Sequence, residues 1–251
     1  MLAKRIIACL DVRDGKVVKG INFEGLRDAG DPASLARRYN REGIDEIVIL
    51  DVTATVEGRQ ARAQTIAAVA RELFLPLTVG GGIRSHDDAT AAVEAGADKV
   101  SLNTAALEDP SLIEALARRY GSQAVIVAID AKRQHGRFAV YSRSGTSETP
   151  RDAVEWARQA RDAGAGEILL TSIDRDGTKA GFDCELTAAV SDAVNIPVIA
   201  SGGAGTFEHF ADVFTTGHAD AALAASIFHF NEKSVSELKL FLKSRGVAVR
   251  I

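Results

Sequence analysis

The sequence predicts an α/β fold, a (β/α)8 barrel built from two similar halves. Three observations carry this: a count of elements, a length and a repeat. Eight short apolar, β-branched runs recur along 251 residues, with amphipathic helical stretches between them. Continuous apolar runs of this kind fit parallel strands buried on both faces. Eight βα units in a chain of about 250 residues match that barrel in count and size. A doubly wound open sheet is the competing arrangement, and the repeat decides between them. LPLTVGGGIRS (75–85) matches IPVIASGGAGT (196–206), and EGIDEIVIL (42–50) matches AGAGEILLT (163–171), both at an offset of 121. ACLDV (8–12) resembles VAIDA (127–131), and GADKVSLNTA (96–105) resembles HADAALAASI (218–227). Four βα units given twice close as two half-barrels, about 1–121 and 122–251, of one domain. An open sheet with a single switch point needs no such repeat.

Taken in order, the first strand is RIIACL (5–10). The connection from Val12 to about Gly30 is long for a βα loop and carries Asp14-Gly15, a hairpin signal. Its Lys16, Lys19, Asn22, Arg27 and Asp28 read as a basic lid over an anionic ligand, or as a solvated surface hairpin. Asp31-Pro32 caps the first helix, and Gly43 ends it. EIVILD (46–51) follows, then LPLTV (75–79), opened by Pro76. Ser85 and Asp88 form a capping box, and Gly96 stops that helix before KVSLN (99–103). Asp109-Pro110 starts a helix that Gly121 ends, and AVIVAID (124–130) is the fifth strand. Thr149-Pro150 reads as the next helix start and Gly164 as its stop, before EILLTSID (167–174). IPVIAS (196–201) opens on Pro197 and is the seventh strand. Gly217 reads as a helix stop before DAALAA (220–225). Propensity alone would make that Ala-rich run a helix; its place in the series makes it the eighth strand. Ser234 and Glu237 cap the last helix, which ends at Gly246.

Composition narrows the function. Lys plus Arg 30 against Asp plus Glu 34 leaves a net charge of −4, which argues against a nucleic-acid binder. No apolar run reaches the ~18 residues a membrane span needs. MLAKRIIACLDV is too short and too quickly charged for a signal peptide. Cys9 and Cys184 lack a CxxC pattern, so a reducing cytoplasm is expected and a disulfide framework is not. The five histidines are scattered, without metal-ligand spacing. No metal and no cofactor are expected.

In this barrel the active site lies at the C-terminal ends of the strands. Strand 1 ends in Asp11 and strand 5 in Asp130, which face each other in an eight-stranded barrel. Two carboxylates across one pocket suit acid/base work, although a strand-end Asp can also serve only to cap a turn. Strand 3 runs into Gly80-Gly81-Gly82, and strand 7 into Ser201-Gly202-Gly203. Strand 4 ends in Asn103-Thr104 and strand 8 in Ala225-Ser226. Glycines let the backbone approach an anion closely, and helix N-termini present free N–H groups. Two such sets on opposite sides suggest a long substrate with a phosphate at each end; two tight turns are the bland alternative. After strand 6 the run Asp174-Arg175-Asp176-Gly177-Thr178 offers a further carboxylate and more N–H groups, with Asp51 its counterpart after strand 2. Arg5, Glu46, Lys99 and Glu167 open strands 1, 2, 4 and 6. Charges there are costly to bury unless paired, so they are expected to form a ring across the barrel floor.

IIACLDVRDGKVVKG, TVGGGIR, GADKVSLNTAA, VAIDAKR, ILLTSIDRDGTKAG, IASGGAG and LAASIFH together resemble the cyclase subunits of imidazole glycerol phosphate synthase, in histidine biosynthesis. The resemblance runs from Met1 to the end, with every βα-loop motif in order. It implies conversion of a bisphosphorylated ribulosyl aminoimidazole carboxamide ribotide plus ammonia to imidazole glycerol phosphate and aminoimidazole carboxamide ribotide. By the same resemblance Asp11 and Asp130 are general acid and base; Lys19 in the lid loop and Asp176 after strand 6 are further candidates for substrate contact from their positions alone. Gly82, Asn103 and Thr104 hold the glycerol-phosphate end; Gly177, Gly203, Ala225 and Ser226 hold the other phosphate. Arg5, Glu46, Lys99 and Glu167 match a polar ring regarded as an ammonia gate, and a glutaminase subunit docks at that end. GHADAAL (217–223) departs from the family by one extra residue, His218, on the floor side.

Two other readings compete. A sister isomerase of the same pathway shares the half-repeat barrel, the paired aspartates and the two phosphate sites. ACLDV and the charged floor favour the cyclase. A non-catalytic phosphate-ligand binder would need neither Asp11 nor Asp130.

Overall fold

The computed structural model describes residues 2–21, 24–51, 63–229 and 234–251. Side chains at 19–29 and at 229 lie outside the described residues as well, so Asn22 and the side chains of Lys19, Arg27 and Asp28 are among those not described.

Eight parallel strands form a closed barrel: β1 (Arg5–Arg13), β2 (Glu46–Asp51), β3 (Leu77–Gly80), β4 (Lys99–Leu102), β5 (Val125–Gln134), β6 (Glu167–Ser172), β7 (Val198–Ser201) and β8 (Ala221–Ala224). Each pairs with the next in chain order, and β8 pairs with β1, Arg5 opposite Ala221. All eight expected strands are present, the Ala-rich last one included. Its backbone finds partners on both sides, in β7 and β1, and that pairing outweighs helix propensity.

The strands bury both faces. Ile6, Ala8 and Leu10 of β1 belong to the large outer core against the helices, whereas Ile7 and Cys9 belong to a separate inner cluster. That inner cluster draws on Val48, Ile126, Leu169, Ile199, Ala221 and Leu223 from the other strands. Period-two alternation therefore aims Arg5, Ile7, Cys9 and Asp11 at the barrel axis.

Most of the expected punctuation holds. Asp31 accepts from Ser34 N at 2.8 Å with Pro32 opening the helix, and Ser234 and Glu237 form a full capping box. At Ser85 the box is displaced by one residue: Asp88 accepts from Arg84 N rather than Ser85 N. Asp109 accepts from Ser111 N at 3.0 Å, ahead of a helix assigned from Ser111.

One expectation is corrected. Thr149-Pro150 does not start a helix; both residues lie in a strand, Ser147–Asp152, and Asp152 caps the helix Ala153–Asp162. Thr149 Oγ1 donates to Val140 O across the hairpin, and Pro150 sits on an edge strand where its missing N–H costs nothing. Gly217 follows the end of its helix, Phe207–Thr215, as expected of a stop, but the left-handed residue comes one place later. His218 takes that conformation, with φ 57°, and its Nδ1 lies 2.8 Å from Asp192 Oδ1.

The loop after β1 is more regular than expected. The backbone continues as strands Lys16–Ile21 and Glu24–Gly30, turning at Asp14-Gly15, both at positive φ. A second hairpin, unforeseen, comes after β5: the chain turns at His135-Gly136 into the strand Arg137–Ser142, and again at 143–146 into the strand Ser147–Asp152. His135-Gly136 lies 121 residues after Asp14-Gly15, so the repeat offset held the signal. Among the described residues no helix is long and apolar enough to cross a membrane.

Candidate active site

A cavity of about 890 Å³ opens at the C-terminal ends of the strands. Asp11, Gly82, Asn103, Thr104, Asp130, Asp176, Gly177, Gly203, Ala225 and Ser226 all line it. Asp51 does too, whereas Asp174 is committed elsewhere, accepting from Arg133 N at 2.8 Å. The side chain of Lys19 is outside the described residues.

Asp11 and Asp130 sit on β1 and β5, four strands apart in a ring of eight, so they come from opposite walls. Asp11 is buried and accepts from Cys9 Sγ at 3.3 Å. Asp130 lies deep in the protein but partly open to the cavity, and accepts from Asn103 Nδ2 at 2.8 Å. Its pKa is pushed up to about 7, first by desolvation; the Asn103 bond pulls it down, and the nearby Asp176 carboxylate raises it again. Asn103 Oδ1 is buried without a hydrogen-bond partner. Its side chain is turned to Asp130 and leaves the following helix, Thr104–Glu108, without a side-chain cap.

Backbone geometry repeats with the sequence. Gly81 and Gly82 have φ 81° and 72°; Gly202 and Gly203, 121 residues later, have φ 92° and 98°. At Gly203 an added Cβ would lie 2.1 Å from Gly181 O, and at Gly81 it would lie 2.3 Å from Asp51 O. Both positions demand glycine on two counts, sign of φ and space.

The far end holds the charged ring. Arg5 bonds Glu46 at 2.9 Å and also Glu167; Lys99 bonds both carboxylates at 3.0 Å. Each carboxylate is shared by both cations, and Thr78 Oγ1 adds a 2.7 Å bond to Glu46. Burial pulls the Arg5 pKa down, but Glu167 and Glu46 outweigh it and the net direction is up. Between ring and carboxylates lie Ile7, Val48, Ile126, Leu169 and Ile199, an apolar layer.

Sequence reasoning missed Arg143, Ser144 and Thr146, which line the cavity from the second hairpin. It also missed Arg84, Thr171 and Lys179, each within two or three residues of a position it had named.

A (β/α)8 barrel of two like halves, with a carboxylate from each half lining one cavity at the strand ends, has the architecture of a barrel enzyme. A model of the histidine biosynthesis protein family matches residues 5–234. The chain belongs to that family, in its HisF branch. The imidazole glycerol phosphate synthase subunit HisF of Acidobacterium capsulatum is 60% identical over 251 residues, covering 100% of this chain and 99% of that protein. The HisF subunits of Chlorobium luteolum and Chlorobaculum parvum are 59% and 58% identical, each over the full length of both chains.

Proposed function

We propose that the chain is the cyclase subunit of an imidazole glycerol phosphate synthase, with Asp11 and Asp130 as its acid/base pair. The carrying observation is that single cavity, with one strand-end carboxylate from each half and a matching Gly-rich turn on either side. The substrate lies across the mouth. Its glycerol-phosphate end is held at Gly82, Asn103 and Thr104, and its other phosphate at Gly177, Gly203, Ala225 and Ser226. Lys19 belongs to the lid, and Asp176 contacts substrate near Asp130. Ring closure after ammonia attack requires one proton removed and one delivered. Asp130, with a pKa of about 7, carries a proton near neutrality and is the acid; Asp11 is the base.

Ammonia reaches the cavity from a glutaminase subunit docked on the strand-start face. The Arg5–Glu46–Lys99–Glu167 ring is the gate, and the apolar layer above it favours neutral ammonia over ammonium. Purified protein given the bisphosphorylated substrate and an ammonium salt should yield imidazole glycerol phosphate. Absence of turnover, with the protein folded, contradicts the reading. Lys99→Ala should reduce glutamine-dependent turnover, measured with the glutaminase present, more than ammonium-dependent turnover. Equal losses would make the ring a stability network only.

A further inference from the structure

We propose that Arg143, at the tip of the second hairpin, is a substrate-binding residue whose guanidinium clamps the phosphate held at the Gly82–Asn103–Thr104 wall. The inference rests on the two-phosphate reading above and adds a side chain to it.

The hairpin is fastened to that wall. Arg143 N donates to Thr104 Oγ1 at 2.9 Å, so the Arg143 Cα stands beside the residue that meets the phosphate. From there the guanidinium is one side-chain length from the anion. The tip is also held in an unusual shape. Arg143, Ser144 and Gly145 follow one another at φ 52°, 56° and 77°. Non-glycine residues reach that region only at a cost. Thr146 maintains the turn by donating from both N and Oγ1 to Arg143 O, at 3.3 and 2.7 Å. Strain kept at a side chain that lines the cavity points to a use for that side chain.

Charge supports it. Neighbouring arginines are engaged: Arg133 with Glu185 at 2.6 Å, Arg137 with Glu148 at 3.2 Å, and Arg151 with Gln159 at 2.7 Å and over the Trp156 ring. Arg143 is exposed, and among the described residues no carboxylate lies within ion-pair distance of it. The same wall carries Glu108 and Asp109, which would repel a phosphate dianion unless cations offset them. A guanidinium does so with two parallel N–H donors matched to phosphate oxygens. Arg84 lines the same end as Arg143 and Lys179 the opposite one, so guanidinium groups stand at one end and an ammonium at the other. That difference lets the cavity tell one end of its substrate from the other.

Arg143→Asn removes the charge while tolerating the left-handed backbone, and Arg143→Lys keeps a point charge without the fork. Loss of one charge-assisted contact should raise KM for the bisphosphorylated substrate about 10- to 100-fold in Arg143→Asn. In that variant kcat should stay within about 2-fold, and Arg143→Lys should fall between it and the wild type. Calorimetric titration with inorganic phosphate should show one of two sites weakened at least ~10-fold in Arg143→Asn. Unchanged KM and unchanged phosphate binding in a folded variant overturn the clamp. A wild type that binds phosphate through Arg143 yet turns nothing over upholds the clamp and refutes the cyclase reading.

Discussion

Asp130→Asn should lower ammonium-dependent kcat by about 100-fold or more, the lower range for general acid–base catalysis, and should raise the melting temperature at pH 8. Asp11→Asn should cost a similar factor in kcat. Asn keeps the size and some hydrogen bonding of Asp, so phosphate-driven substrate binding should survive in both. The stability change stems from the raised pKa. An unfolded Asp titrates near 3.8, and the folded Asp130 near 7. Below about pH 4 both states are protonated. As pH rises from there through 7, the folded chain retains a proton that the unfolded chain has released, so folding stability falls; above 7 the full loss remains. At about 1.36 kcal/mol per pKa step this amounts to a few kcal/mol, which Asn avoids. Wild-type kcat/KM should fall as pH rises through about 7, since the acid is then lost. In Asn103→Ala that limb should move to higher pH, because Asn103 Nδ2 stabilises the carboxylate. A limb that stays in place does not belong to Asp130. Near wild-type turnover in either Asn variant would reduce that Asp to a turn cap.

The largest loss of stability should come from the opposite end. Lys239 is 3% exposed on the C-terminal helix Val235–Ser244. Its Nζ donates to Asp45 Oδ1 at 2.7 Å and to Gly43 O at 2.5 Å. Asp45 Oδ2 accepts from Ile6 N at 2.8 Å, and Arg250 Nε lies 3.2 Å from Oδ1. One carboxylate thus ties the last helix and the chain end to the starts of β1 and β2. Lys239→Ala leaves Asp45 buried with its best partner gone, a loss of about 3–5 kcal/mol. For a chain of this size that means a fall in melting temperature on the order of 10 °C. Ammonium-dependent kcat at low temperature should be unchanged, since Asp45 lies at the strand starts, far from the cavity. Asp45→Asn combined with Lys239→Met removes both charges and should recover much of the loss. A Lys239→Ala melt within about 1 °C of wild type would show that Arg250 alone satisfies Asp45, in the range of an ordinary surface pair.

Repetition made much of this legible beforehand. Eight strands, their order and the facing positions of Asp11 and Asp130 came from apolar runs and an offset near 121, because a repeat fixes topology where local propensity does not. The charged ring could be anticipated from residue type and position, since charges at strand starts must be paired. Local signals failed where they were shared by two outcomes. Thr149-Pro150 suits a helix start and an edge strand equally, and only the neighbouring strand Arg137–Ser142 selects the second. Gly217 does mark the end of its helix, but which residue takes the left-handed turn was not legible: it is His218, beside Asp192.

The barrel, its two halves and the residue types at the strand ends could be read from the chain alone, because periodicity and the repeat are properties of the linear sequence. Which side chains reach the cavity, and which carboxyl is pushed up in pKa, depend on packing. The raised pKa of Asp130 depends on desolvation, on Asn103 from another strand and on Asp176 from another loop. Arg143 comes to Thr104 from 39 positions away through a hairpin turn. Distances and solvent exclusion of that kind arise when distant segments pack together, so no local window of the sequence contains them.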